Sequence, residues 1–311
     1  MELPTVSFSS TNKQPTSGNN AANDFKQTVL NDYYLAQLSR EISLLSRREV
    51  LTGKAKFGIL GDGKELPQIA LAKVFRKGDF RSGYYRDQTL MLALGLTTSD
   101  QLFAQLYANP NPEQEPHSAG RQMNCHFATH SLDEKGQWKN LMEQYNSSAD
   151  IAPTAGQMSR GVGLALASKT YRSIPDLQSM TQFTNNGNEV TFVTIGDAST
   201  SEAPFWESVN AVGVMQVPML ISVWDDGYGI SVPQKYQTTK SSISEVLAGF
   251  ERTEEKAGFD IYQVKAWDYV ELCRVYEEAA EKVRPTHIPA LVHVVEVTQQ
   301  QGHSTSGSHE R

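Results

Sequence analysis

Two mainly apolar runs rich in strand-forming residues, EVTFVTI at 189–195 and MLISVW at 219–224, constrain this chain more than any other feature. Neither run alternates apolar with polar residues, so neither reserves a face for water. Strands of that kind belong to a parallel sheet covered by helices on both sides. Between them Phe205, Val209 and Val212 mark one face of a helix, and Pro218 ends it. Strand, helix, strand at this spacing is a right-handed crossover, which makes the two strands near neighbours. Two more runs, FDIYQVKAW and ALVHVVEVT, flank the helix pattern YVELCRVYEEAAEKVR. The predicted class is α/β, an open, mostly parallel sheet flanked by helices.

Upstream, the pattern is helical from about Phe25 to Arg48, where Tyr34, Leu35, Leu38, Ile42 and Leu45 recur every three or four residues. Further helices are expected over Leu66–Phe75 and over Thr98–Tyr107, the latter opened by the cap-like TTSD. Asn109–Gly120 reads as a proline-rich loop. The helix expected at Gln157–Thr170 carries Gly161, Gly163, Ala165 and Ala167, small residues that let another backbone approach closely. Residues 1–24, rich in Ser, Thr, Asn and Gly, lack the apolar side chains to offset ordering, so a flexible segment is expected there and one domain over 25–311.

Charge excludes some functions. Lys plus Arg number 28 against 35 Asp plus Glu, a net charge of −7, with no basic block. Nucleic acid binding therefore has no electrostatic footprint. Only Cys125 and Cys273 are present, which rules out a disulfide framework. No apolar run approaches the roughly 20 residues of a membrane span, and the N-terminus lacks the basic-then-apolar order of a secretory signal. The expectation is a soluble, cytoplasmic protein, or one of the mitochondrial matrix if the source is eukaryotic.

The chemistry concentrates where the two central strands end. Asp197 follows the first, within Gly196–Asp197–Ala198, and Asp225 and Asp226 follow the second. In an open parallel sheet, ligands bind outside the carboxyl ends of the strands. Hard divalent ions are held by one or two carboxylates plus substrate phosphates. Ser199, Thr200 and Ser201 offer helix caps, Glu202 sits where a helix dipole favours an anion, and the helix N-terminus supplies N–H donors to a phosphate. A Mg²⁺–diphosphate site is one reading of these residues, and two unrelated turns the other.

GDASTSEAPFWESVN followed by DDGYGISVP resembles the thiamine diphosphate motif of Gly-Asp-Gly, about thirty residues, then Asn-Asn. The likeness is to the α subunit of the decarboxylating component of 2-oxo acid dehydrogenase complexes, nearer the branched-chain than the pyruvate type. Tyr-Tyr-Arg-Asp at 84–87, Gly-Arg-Gln-Met at 120–123 with His126 beyond, and Gly-His-Ser-Thr-Ser at 302–306 resemble three more of its segments, in order. The resemblance implies Mg²⁺ on Asp197, Asp226 and the Tyr228 carbonyl, and the diphosphate on Tyr85 and Arg86. It places His126 and His303 at the reacting end. It lines the cofactor with backbone groups of the segment around Pro153–Gln157 and with Gly196, Ala198, Ser199 and Ile230. The implied reaction removes CO₂ from a 2-oxo acid and passes the acyl group to the lipoyl domain of an acyltransferase component, the cofactor performing the chemistry.

Some residues depart from the pattern. Ala198 stands for the second Gly and Asp225–Asp226 for Asn-Asn, while Trp224 occupies a position where some members carry Arg. One added negative charge about 4 Å from a diphosphate costs on the order of 4 kcal/mol at an effective dielectric near 20 before the metal offsets it. Arg86 and His303 are then expected to carry more of the balance. Asp225 reads as a solvated turn residue, His287 and His293 as structural, and His309 as part of a mobile loop. Tyr84 and Tyr85 can exchange roles. Cys125, His126 and His130 form too sparse a set for zinc. Ser304, Thr305 and Ser306 lie where some relatives are phosphorylated, and ordinary loop polarity accounts for them.

The family's activating Glu comes from a β subunit, so a β partner or fused β half is expected in an α2β2-type assembly. The chain stops inside the loop containing His303, as a fragment or the front part of an α–β fusion would. Two rival functions share the scaffold: an acetoin dehydrogenase-type component and a noncatalytic assembly or regulatory paralogue. A nucleotide-binding Rossmann module is disfavoured, since no G-x-G-x-x-G opens a βαβ unit.

Overall fold

The computed structural model describes residues 18–305, with side chains from residue 23 onward. The expected flexible segment lies mostly outside the described residues, as do Ser306 and His309. The chain divides into two compact units between Tyr34 and Leu35. The sheet, its covering helices and the cavity described below all belong to the unit from Leu35 onward.

The described residues form eight strands: β1 Phe80–Ser82, β2 Asn146–Ser147, β3 Thr191–Gly196, β4 Met219–Trp224, β5 Tyr228–Gly229, β6 Val232–Pro233, β7 Asp260–Lys265 and β8 Ala290–Val295. The α-helices are α1 Gly18–Leu51, α2 Glu65–Val74, α3 Gln88–Ala93, α4 Ser99–Leu106, α5 Gly156–Ser173, α6 Ala203–Met215, α7 Ile243–Val246 and α8 Tyr269–Thr286. Six strands form one sheet in the order β2-β1-β3-β4-β8-β7, every pair parallel. β5 and β6 make a small antiparallel hairpin beyond β4.

The two apolar runs are the centre of this sheet, paired from Thr191↔Met219 to Gly196↔Trp224. Because successive side chains point to opposite faces, each run supplies two cores. Phe192, Leu220, Trp224, Val292 and Val294 pack on one face with Leu71 of α2 and Val275, Tyr276 and Ala279 of α8. Val193, Ile195, Ile221, Val223 and Leu291 pack on the other with Met158 of α5 and Phe205, Val209 and Val212 of α6. Each such side chain contributes about 1.5–3 kcal/mol on burial, so polar alternation would have cost one layer outright.

The helix starts follow sequence chemistry with one correction. Thr98 and Gln101 form a reciprocal capping box at the start of α4, and the Asp268 side chain accepts from the Glu271 N–H at the start of α8. Ser199–Ser201 do not cap α6. A 3₁₀ turn takes Ala198–Ser201, and the cap position falls on Glu202, ahead of a proline in the first turn.

The glycines of α5 divide by environment. A Cβ on Gly161 would stand 2.4 Å from Val193 Cγ2, whereas one on Gly163 would meet nothing within 4 Å. Close approach is therefore needed at Gly161 and not at Gly163. Gly163→Ala is expected to raise stability by about 0.5–1 kcal/mol through helix propensity. Gly161→Ala should lower it by about 1 kcal/mol net, because overpacking of about 1–3 kcal/mol outweighs that gain. Urea unfolding of the two variants checks both signs.

Candidate active site

A cavity of about 370 Å³ opens at the carboxyl ends of β3 and β4, within the usual range for small-molecule sites of about 300–1,000 Å³. Of the residues singled out from sequence, Tyr85, Arg86, Gly196, Asp197, Ala198, Ser199, Asp226, Tyr228, Ile230 and His303 line it. They come from four stretches of chain that meet only because β3 and β4 are adjacent and the 298–305 segment folds back.

His126, Pro153 and Gln157 do not line the cavity. The Gln157 side chain is buried and donates to the Thr194 carbonyl on β3, which ties α5 to the sheet. Pro153 is exposed, and its neighbour Thr154 reaches the cavity wall instead. His126 is buried, with Nδ1 3.2 Å from the Asn124 carbonyl. Beside it, burial pushes the Cys125 thiol up to about 12, so it keeps its proton and makes a poor metal ligand.

The carboxylates occupy unlike environments. Asp197 is buried, and its Oδ2 has no hydrogen-bond partner among the described residues. Burial, followed by the charges of Asp225 and Asp226, pushes its carboxyl well above the ordinary range. Asp226 Oδ1 accepts from the Tyr228 N–H at 3.1 Å, and Oδ2 lies 3.3 Å from the ammonium of Lys64. Asp225 is not the solvated turn residue expected. It is 8% exposed and accepts from Gly227 N–H, from Gln234 Nε2 at 2.7 Å and from His293 Nε2 at 2.9 Å. Burial pushes Asp225 up, but the His293, Gln234 and Gly227 hydrogen bonds outweigh it and hold the carboxylate below its usual range. The structural role expected of His293 is thus specific. From β8, it fixes the turn that presents Asp226.

On the opposite wall, Arg86 donates to the Leu60 carbonyl at 2.6 Å and to the His303 carbonyl at 2.9 Å, with its guanidinium 5.1 Å from the Tyr85 ring centroid. Its other N–H donors remain for a ligand. The His303 ring meets the edge of Tyr85 at 6.4 Å between centroids. Thr305 binds the Gly58 backbone in both directions, so the His303 loop is anchored from behind. Tyr84 is buried with its hydroxyl unpartnered among the described residues, and both tyrosines line the cavity. Trp224 lines it too, but its indole N–H donates inward to Tyr276 at 3.4 Å.

Beneath Tyr84 lies a charge cluster that the sequence did not announce. Arg81 on β1 donates to Asp87 at 2.6 Å, to Asp150 at 2.9 Å and to Ser147 at 2.7 Å, all buried. Thr194 of β3 donates to the same Asp87 oxygen at 2.7 Å, and the Phe127 N–H to Asp150 at 2.9 Å. Lys64 was missed as well. Flanked in sequence by Asp62, Gly63 and Glu65, it reads as a solvated turn lysine, yet it is 1% exposed and lines the cavity.

The unpartnered Asp197 oxygen, the second carboxylate across the rim and the spare Arg86 donors fit a divalent cation carrying a phosphorylated ligand. Among the described residues no group of three or more His, Cys, Asp or Glu side chains is arranged to hold a metal. A cation here needs ligand phosphates and backbone oxygens to complete its shell.

Residues 34–310 match the family model described as the dehydrogenase E1 component. The chain belongs to the dehydrogenase E1 component family. Among curated relatives of this E1 chain, the 2-oxoisovalerate dehydrogenase subunit alpha of Bacillus subtilis (strain 168) is 28% identical over 274 residues, 86% of this chain and 70% of that protein. The pyruvate dehydrogenase E1 component subunit alpha of Acholeplasma laidlawii is 24% identical over 271 residues, 86% of this chain and 64% of that one. The mitochondrial 2-oxoisovalerate dehydrogenase subunit alpha 2 of Arabidopsis thaliana is 26% identical over 216 residues, 69% of this chain and 38% of that one. The E1 chain thus spans about two thirds of its bacterial relatives' length. Among its described residues, no helix is long and apolar enough to cross a membrane.

Proposed function

We propose that this chain is the diphosphate- and Mg²⁺-binding α half of a thiamine diphosphate-dependent 2-oxo acid dehydrogenase, acting on a branched-chain 2-oxo acid with a β polypeptide and a lipoyl domain. The observation that carries the reading is the pair Asp197 and Asp226 on one rim, with the Asp197 oxygen unpartnered among the described residues. The names of the relatives in Bacillus and Arabidopsis support the branched-chain choice.

The cofactor, when bound, supplies a nucleophilic carbon and an electron sink for decarboxylation. This chain's residues do the holding. Asp197, Asp226 and the Tyr228 carbonyl would hold the metal, and Arg86 and the N–H groups of the 198–201 turn other than that of Thr200, which donates to the Asp197 carbonyl, would donate to the phosphates. Tyr85 lies between Arg86, which sits over its ring, and His303, which it meets edge-on, and the Arg86 bond to the His303 carbonyl keeps that ring at the cavity. His303 is placed to hold or pass a proton at the reacting end. Excluding water on the open side falls to the β partner.

A panel of 2-oxo acids together with acetoin, assayed with an artificial electron acceptor, tests this. The chain alone should stay at background. With its β polypeptide it should turn over branched-chain 2-oxo acids in preference to pyruvate. Robust turnover by the isolated chain would refute the half-site reading, and a preference for acetoin would move it to the rival chemistry.

A further inference from the structure

Lys64 is buried at the wall of the cavity, and its surroundings hold the ammonium in place without using all of it. Its Nζ lies 2.9 Å from Gln299 Oε1 and 3.3 Å from Asp226 Oδ2. An ammonium carries three donors, so one remains for something in the cavity that Lys64 lines. The neighbouring charge is spoken for: Arg40 engages both Glu65 oxygens, at 2.7 and 2.9 Å, and the Gly63 N–H donates to Glu65 as well. The backbone that aims Lys64 is fixed, since Gly63 has φ +89° and a Cβ there would stand 2.1 Å from the Thr298 carbonyl. Only glycine allows that approach.

We propose that Lys64 is a ligand of the cofactor's diphosphate, supplying from the turn before α2 the positive charge that an acidic rim requires. This rests on the thiamine diphosphate reading above. Taking an ammonium out of water costs several kcal/mol unless a counter-charge stands close. Asp226 is that counter-charge while the cavity holds no ligand. Once Asp226 turns its charge to a metal ion, Lys64 needs another anion within reach, and a phosphoryl oxygen beside that metal provides it. The same ammonium offsets the repulsion that Asp225 and Asp226 exert on the incoming diphosphate. Among the described residues no other lysine lines the cavity.

The test is calorimetric titration of Mg²⁺-thiamine diphosphate, and separately of Mg²⁺-pyrophosphate, into the full chain with and without its β polypeptide. Wild type is compared with Lys64→Met, Lys64→Gln and Lys64→Arg, folding being checked by circular dichroism. Lys64→Gln keeps a donor, and serves if the Met variant does not fold. Loss of the charge should weaken both ligands by about 10- to 100-fold, the worth of one charged hydrogen bond, and Arg should recover most of the loss. Wild-type binding with Met or Gln variants within about twofold of it would overturn the Lys64 assignment and leave the cofactor reading standing. No binding by wild type in either preparation would overturn both.

Discussion

Asp197→Asn is expected to weaken Mg²⁺-dependent thiamine diphosphate binding by at least about 100-fold while making the ligand-free protein more stable. The two effects have one cause. Asp197 is buried, has an oxygen without a partner among the described residues, and faces the charges of Asp225 and Asp226. Such an arrangement is costly by itself and becomes favourable when a cation joins it. An amide keeps the shape but removes the charge, and so takes away both the cost and the ligand. A gain of about 0.5–2 kcal/mol is typical when a strained functional group is relieved. Calorimetry reads the binding and urea unfolding the stability. A variant that binds normally, or that is destabilised, would mean that Asp197 holds the fold rather than a metal.

Arg81→Met should be the most damaging single change to the fold, at about 3–5 kcal/mol, because it strands two buried carboxylates that share one guanidinium. Arg81, Asp87 and Asp150 join β1, the loop carrying Tyr84–Arg86, and the segment after β2. The deficit should also depend on pH. Burial already raises the Asp87 carboxyl to about 6 against the opposing Arg81 charge, and removing the guanidinium raises it further. A carboxyl whose folded pKa exceeds its unfolded value stabilises the fold at low pH, and that contribution is lost as pH rises through the folded value. The wild type loses it around pH 6, and the variant starts from a weaker fold and continues losing stability above that. Urea unfolding at pH 5.5 and 7.5 should show the larger gap at the higher pH. An equal gap would mean that Arg81 acts through packing alone.

The core was legible in the sequence because β3, β4 and β8 are apolar on both faces and α8 is amphipathic, patterns that no loop imitates. β1 and β2 were not, because a three-residue strand built around Arg81 and a two-residue strand of Asn146 and Ser147 carry no periodicity. Their positions are set by the Arg81 cluster, whose partners lie far apart in the chain. The site was legible where residues directly follow strands or sit in recognisable motifs, as at Gly196–Ser199, Asp226 and Tyr85–Arg86. Position along a motif could not say which way Gln157 or His126 points, and neither reaches the cavity. Lys64 and the His293–Asp225 pair were hidden for a common reason. Sequence scores a charged residue as solvated unless its partner is adjacent, and both partners are contributed from distant segments.

The most direct test of the rim between β3 and β4 as a metal–diphosphate site is a crystal of the chain grown with thiamine diphosphate and Mn²⁺ in place of Mg²⁺, read by anomalous scattering. The expected result is one metal peak bounded by the carboxylates of Asp197 and Asp226, with the diphosphate beside it against Lys64 and Arg86. A metal peak elsewhere, or cofactor bound with Asp197 and Asp226 free of any metal, would contradict it.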